Sequence, residues 1–271
     1  MNHASAPPWL LHYVDRLGTA ALELIDDVAN VVRLASRLIM IGIHSPWYRK
    51  PAVMHVVLRQ TYFTGVQGLP WVLFLALSIG ALAVYNIVVF ARDLLNIPMI
   101  GTLIARVLVL EIAPMTIALL LLSRSGVAIV TELGTMFVRG EDLTLKSMGI
   151  SVHEYLLWPR LLAYSGCGLV LTATFVFVAI GAGGLFAAWS NEMTLFDFML
   201  EIGRGTNLIE IQLLLVKGVL YPFASILILM DQGVRVGRDP NLIPIHATRA
   251  ILSSLVTILL LDGLIALLMV L

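Results

Sequence analysis

Residues 123–150, SRSGVAIVTELGTMFVRGEDLTLKSMGI, form a polar, glycine-containing segment of mixed charge between two long apolar blocks. In a chain that is 59% hydrophobic, such a segment is more than a connector. Val127, Ile129, Val130, Leu133, Met136, Val138, Leu143, Leu145 and Met148 recur roughly every three to four residues, which predicts short amphipathic helices. Held at a membrane surface by flanking spans, those helices are placed to grip a soluble partner.

The flanking blocks are long enough to cross about 30 Å of hydrocarbon, which takes roughly 20 helical residues. Five spans are predicted, at about 69–91, 98–122, 161–189, 208–230 and 250–271. A mean hydropathy of +0.96 and only 13% charged residues agree with an all-α integral membrane protein. The expected organisation is an N-terminal region, 1–61, and a five-span domain, 62–271, whose largest loop is 123–160. Basic residues orient it. Arg16, Arg33, Arg37, Arg49, Lys50 and Arg59 precede the first span. Arg124, Arg139, Lys146 and Arg160 lie in the 123–160 loop, and Arg235, Arg238 and Arg249 lie in 231–249. The opposite loops hold only Arg92 and Arg204. This asymmetry predicts a cytoplasmic N-terminus and 123–160 loop, with the C-terminus on the far side. No cleaved signal peptide is expected, because residues 1–18 lack a basic stretch followed by an apolar core.

Residues 13–41 are too polar to span. Leu17, Leu24, Val28, Val31, Ala35 and Leu38 fall on one arc of a helix, and Glu23, Asp26, Asp27, Asn30, Arg33 and Arg37 fall opposite. The pattern reads as an amphipathic helix in the cytoplasmic interface, the alternative being a soluble helix packed on a partner. The run from His44 to Pro51 breaks it, with Trp47 and Tyr48 suited to headgroup level. Residues 190–207 predict a short far-side helix on which Leu195, Phe198, Met199 and Ile202 share a face. No inverted repeat is evident, and five spans are few to enclose a transport path alone, which favours a dimer.

Arg106, Glu111, Lys217 and Asp262 fall inside predicted spans, with Glu210 and Asp231 near span ends. A charge at mid-membrane costs about 2.5–3.5 kcal/mol, so each should face a cavity or another charge. Arg106 and Glu111 are about 140° apart around a helix, poor geometry for a pair. Glu111 either lines a functional cavity or pairs internally, and Pro114 three residues on frees a backbone carbonyl. Lys217 has the same two readings plus snorkelling toward an interface, and Asp262 reads as structural. Gly166, Gly168, Gly181, Ala182, Gly183 and Gly184 suit close helix packing in the third span.

No G-x-x-x-x-G-K-[ST], G-x-S-x-G or H-E-x-x-H pattern occurs, so neither ATP hydrolysis nor these hydrolase chemistries are expected of this chain. The six histidines lack ligand spacing, no metal site is expected, and the single Cys167 reads as packing. A self-sufficient channel and a purely structural scaffold are the competing classes.

The run Glu111-x-x-Pro114, Arg124-x-Gly126, Glu132-Leu-Gly-Thr-Met136, Met148-Gly149, Tyr155-Leu156 and Pro159-Arg160-x-x-Ala163 resembles the MlaE/YrbE family. The likeness extends to Arg59-Gln60-x-Tyr62-x-x-Gly65, Leu69-Pro70, Lys217 with Tyr221, Ala247-Thr248-Arg249 and Leu261-Asp262. It covers nearly everything from about residue 55, and the order and spacing of the pieces carry it.

The resemblance implies a non-catalytic permease subunit of an ABC transporter in the bacterial inner membrane. It implies a homodimer that binds two cytoplasmic ATPase subunits and a periplasmic hexameric MCE-domain ring, and it allows a small cytoplasmic accessory subunit. The implied substrate is phospholipid moved between inner membrane and periplasm or outer membrane, maintaining outer-membrane lipid asymmetry; sterol or fatty-acid import is the alternative. No cofactor is implied beyond ATP bound by the partner. Glu111, Arg106, Arg59, Tyr62 and Lys217 would line the lipid cavity. Arg124, Glu132, Met136, Arg139, Glu141, Asp142, Lys146, Met148 and Gly149 would belong to the ATPase-coupling helix. The chain departs from the family at Leu110, where an arginine is usual and for which Arg106 is the candidate substitute. It departs also at 137–145 and at Ser151-Val152.

Overall fold

A computed structural model of the chain describes the backbone of residues 8–94, 103–189 and 194–270, and side chains over 26–87, 103–104, 106–189 and 194–269. Residues 98–102 of the second expected span and 190–193 of the far-side segment lie outside the described residues. So do the side chains of Arg16, Leu17, Glu23, Leu24 and Arg92.

The chain divides into two units, Met1–Ser45 and Pro46–Leu271. The first contains one helix, α1 (Pro8–His44), longer than the expected 13–41. In chain order the second contains α2 (Pro51–Ile87), α3 (Arg106–Val138), α4 (Glu141–Ser147), α5 (His153–Trp189), α6 (Leu195–Gly205), α7 (Leu208–Arg235) and α8 (Pro240–Met269). Five of these, α2, α3, α5, α7 and α8, are long and apolar enough to cross a membrane. The described residues contain no strand, and the protein is an all-α, multi-pass membrane protein. Residues 51–61, read from sequence with the N-terminal region, are the opening turns of α2.

Proline shapes α2 locally. Pro70 has no N–H for the carbonyl of Val66, and the ladder ahead of it shifts register. Gln67 N–H reaches Tyr62 O at 3.1 Å, five residues back, while Gly68 N–H reaches Gly65 O at 3.0 Å, three back. The centre of the bundle is α5, packed against α2, α3 and α7, while α7 also meets α3 and α8. Glycine permits the closest crossings. A Cβ on Gly168 would sit 2.3 Å from Pro222 Cγ of α7, and one on Gly183 would sit 2.4 Å from Val84 Cβ of α2. Gly166 and Gly181 face open space within the chain.

The two charges near the ends of α7 are explained by local structure. Glu210 closes a capping box, accepting the Asn207 N–H at 3.1 Å. Asp231 pairs with Arg235 one turn on, at 2.8 Å.

The 123–150 segment departs most from its sequence reading. It is not a loop of short surface helices: residues 127–138 continue α3, and Ile129, Val130, Leu133 and Gly134 are buried in the bundle. Their apolar period reflects packing on α7 and α8 rather than a membrane-surface face. Only the turn and α4 beyond Arg139 project as a tip. Gly140 takes φ +78°, a conformation only glycine adopts without strain, and turns the chain from α3 into α4.

Candidate functional site

Proline also builds the polar site shared by α3, α7 and α8. Pro114 has no N–H to give the carbonyl four residues back, that of Leu110. Lys217 of α7 takes that carbonyl instead, donating to Leu110 O at 3.0 Å. Its ammonium donates as well to Glu111 Oε1 at 2.9 Å and to Asp262 Oδ1 of α8 at 2.8 Å. An ammonium has three N–H donors, so Lys217 is saturated by one carbonyl and two carboxylates. Tyr221, one turn along α7 from Lys217, donates its hydroxyl to the same Asp262 oxygen. Below this polar group Tyr221 packs with Ala118 of α3 and Ile258 of α8.

Burial assigns different parts to the members. The Lys217 side chain is 0% exposed, that of Asp262 22% and that of Glu111 42%. The cation is therefore interior, and the carboxylate of Glu111 is the group presented outward. Lys217 does not snorkel, and with all three donors engaged it has none to offer a ligand. The cation beside Glu111 comes from α7, not from Arg106, which is exposed on α3 and makes no bond to Glu111. Leu110, where an arginine was expected, contributes its backbone carbonyl. Asp262 read as structural from sequence; here it is one of two carboxylates on a shared lysine.

Within a single chain the five residues expected in the lipid cavity do not converge. Glu111 and Glu132 stand twenty-one positions apart on α3, on the order of 30 Å at 1.5 Å per residue. Arg59 lies at the Glu132 level. There a cavity of about 350 Å³ is lined from α2 by His55, Arg59 and Phe63, from α3 by Glu132 and Met136, and from α5 by Tyr155, among others. Tyr62, adjacent to Phe63, is exposed on α2. Glu132 accepts from Arg160 of α5 at 3.0 Å.

The expected coupling residues separate likewise into three places. Arg124 clasps α2, donating to Phe63 O at 3.2 Å and Gln67 Oε1 at 3.3 Å, with its guanidinium 5.5 Å from the Phe63 ring. Glu132 and Met136 line the cavity just described. Arg139, Glu141, Asp142, Lys146, Met148 and Gly149 form the tip. Within it Asp142 is buried, 3.1 Å from Arg238 at the α7–α8 turn and 3.5 Å from Lys146, and Arg238 also donates to Phe137 O. Asp142 is therefore an internal anchor of the tip, which sequence did not reveal because Arg238 is ninety-six positions away. The exposed surface of the tip is Arg139, Leu143, Thr144, Lys146, Ser147, Met148 and Gly149. No group of metal-ligating side chains occurs among the described residues.

A family model for permease MlaE matches residues 57–268. A "Probable ABC transporter permease protein" of Rickettsia typhi is 23% identical over 251 residues, covering 92% of this chain and 95% of the relative. A protein of the same description from Rickettsia felis is 24% identical over the same length and coverage. The "Intermembrane phospholipid transport system permease protein MlaE" of Haemophilus influenzae is 26% identical over 175 residues, 65% of this chain and 64% of the relative. The chain belongs to the MlaE permease family, whose members are permease subunits of ABC transporters.

Proposed function

We propose that this permease moves phospholipid between the inner membrane and the periplasm or outer membrane, driven by ATP hydrolysed in a partner subunit. The observation that carries the reading is the Lys217 group: a half-exposed carboxylate, Glu111, fixed by a saturated buried cation within an otherwise apolar bundle. Such a fixed charge marks where a polar headgroup can enter while the acyl chains stay against apolar helix faces. The printed name of the Haemophilus influenzae relative supports phospholipid as the substrate class. The working assembly is a homodimer carrying two cytoplasmic ATPases and a periplasmic MCE-domain ring, with the N-terminus and the α4 tip cytoplasmic.

Continuity of α3 supplies the mechanism. One helix runs from Arg106 to Val138, so a push on the tip is transmitted along a rod that carries Glu111 near its other end. Arg238 ties the same tip to the α7–α8 turn, and α7 and α8 hold Lys217 and Asp262. ATPase closure thus moves all three helices of the polar site together.

The test is ATP-dependent transfer of a fluorescent phospholipid by the complex purified from native membranes and reconstituted in liposomes. Met148→Asp with Leu143→Asp changes only exposed tip residues, so it should reduce ATPase association at least about tenfold without altering chain stability. Normal association and transport in that variant would contradict the docking surface. Transport without any ATPase would contradict the proposed function itself. Charge reversal at Asp142 is the wrong probe, because it breaks the tip's own anchor.

A further inference from the structure

Glu132, which lines the cavity, is bound from behind by a buried cation, Arg160. Arg160 is 3% exposed, yet only its Nη2 has an acceptor, Glu132; its Nε and Nη1 are buried with no hydrogen-bond partner among the described residues. Leaving buried donors unpaired costs about 1–3 kcal/mol each, more for a charged group. Such groups persist where something else meets them. Arg59 lines the cavity, lies within electrostatic reach of Arg160 and makes no ion pair of its own among the described residues. The two guanidiniums outnumber the single carboxylate of Glu132, with His55 and the Tyr155 ring completing the wall.

Glu132 behaves as an exchangeable occupant. Its side chain is 51% exposed, so it can turn to solvent when an incoming anion takes over the Nη2 of Arg160. A phosphate in its place would accept from that Nη2 and from the guanidinium of Arg59, charge-assisted pairings that arginine favours. The position suits a headgroup as well. Along α2 the cavity residues 55–63 precede the apolar stretch that starts near Leu69, and exposed Tyr48 and Tyr62 mark the same boundary.

We propose that this cavity is an anion site for a phosphate group, which takes the place of Glu132 between Arg59 and the Nη2 of Arg160. The phosphate is that of a lipid headgroup or a free phosphate. On the order of 30 Å of α3 separates it from Glu111, so it stands or falls apart from the transport reading.

The test titrates the full complex, in phosphatidylcholine nanodiscs, with dihexanoyl phosphatidic acid and separately with inorganic phosphate. Calorimetry measures binding, and thermal melting serves as a folding control. Glu132→Gln removes the competing carboxylate and should tighten binding about five- to tenfold; Arg59→Gln should weaken it about tenfold. Both residues are exposed, so both variants should fold. Binding confined to the short-chain lipid assigns the site to a headgroup, and equal binding of inorganic phosphate assigns it to the free ion. The proposal is overturned if neither probe binds, or if neither substitution changes the affinity. It is overturned too if the variants lose ATPase association while phosphate binding is unchanged, which would give the cavity to an acidic protein partner.

Discussion

The two ends of the bundle each bury a cation beside carboxylates, and they resolve the cost in opposite ways. At Lys217 every donor is met by protein: one carbonyl freed by Pro114 and two carboxylates. At Arg160 one nitrogen is met by a half-exposed glutamate and two have no partner among the described residues. The first arrangement is closed around its cation and turns an anion outward. The second leaves donors of its cation unmet, and the one that is met faces an exposed carboxylate. A buried charge is thus weak grounds for a ligand site by itself; the informative quantity is how many of its donors the protein already satisfies.

The largest expected effect is at the closed end. Lys217→Met should destabilise the protein by about 3–5 kcal/mol, because two carboxylates lose their shared cation. A melting curve in detergent would show it, and a near-neutral result would break the comparison. The open end should be more forgiving. Gly168→Ala offers an intermediate calibration: its new Cβ meets Pro222, at an overpacking cost of about 1–3 kcal/mol. Gly166→Ala, facing open space on the same helix, should stay within about 0.5 kcal/mol. Arg160→Met should cost about 1–2 kcal/mol, since it strands only Glu132, which water can reach. A loss as large as that of Lys217→Met would mean that Arg160 is as fully engaged as the lysine.

Sequence made the five spans legible because twenty-residue apolar runs admit few other structures. Pro114 was also readable as the source of a freed carbonyl, though not which side chain would take it. That partner, Lys217, is 107 positions from Leu110, and helical periodicity says nothing about contacts at that range. The same blindness hid Asp142 with Arg238 and Glu132 with Arg160. The 123–138 stretch was misread for a different reason. A helix buried within a bundle and one lying on a membrane share the same apolar period, and polar residues such as Thr131 and Thr135 look like surface until their hydroxyls are seen bonded to the preceding turn, at 2.9 Å and 2.7 Å. The tip's exposed Met148 and Leu143 were legible as apolar residues in a charged segment, but not as its exposed face.

The central claim is that Lys217, Glu111 and Asp262 act as one charge-balanced unit that holds Glu111 in place. It is tested most directly by comparing the melting of Lys217→Met with that of the triple variant Lys217→Met, Glu111→Gln, Asp262→Asn. If the account is right, removing the carboxylate charges along with the cation restores most of the lost stability, because no uncompensated charge remains. A triple variant no more stable than Lys217→Met alone would show that the three do not form a unit, and would contradict it.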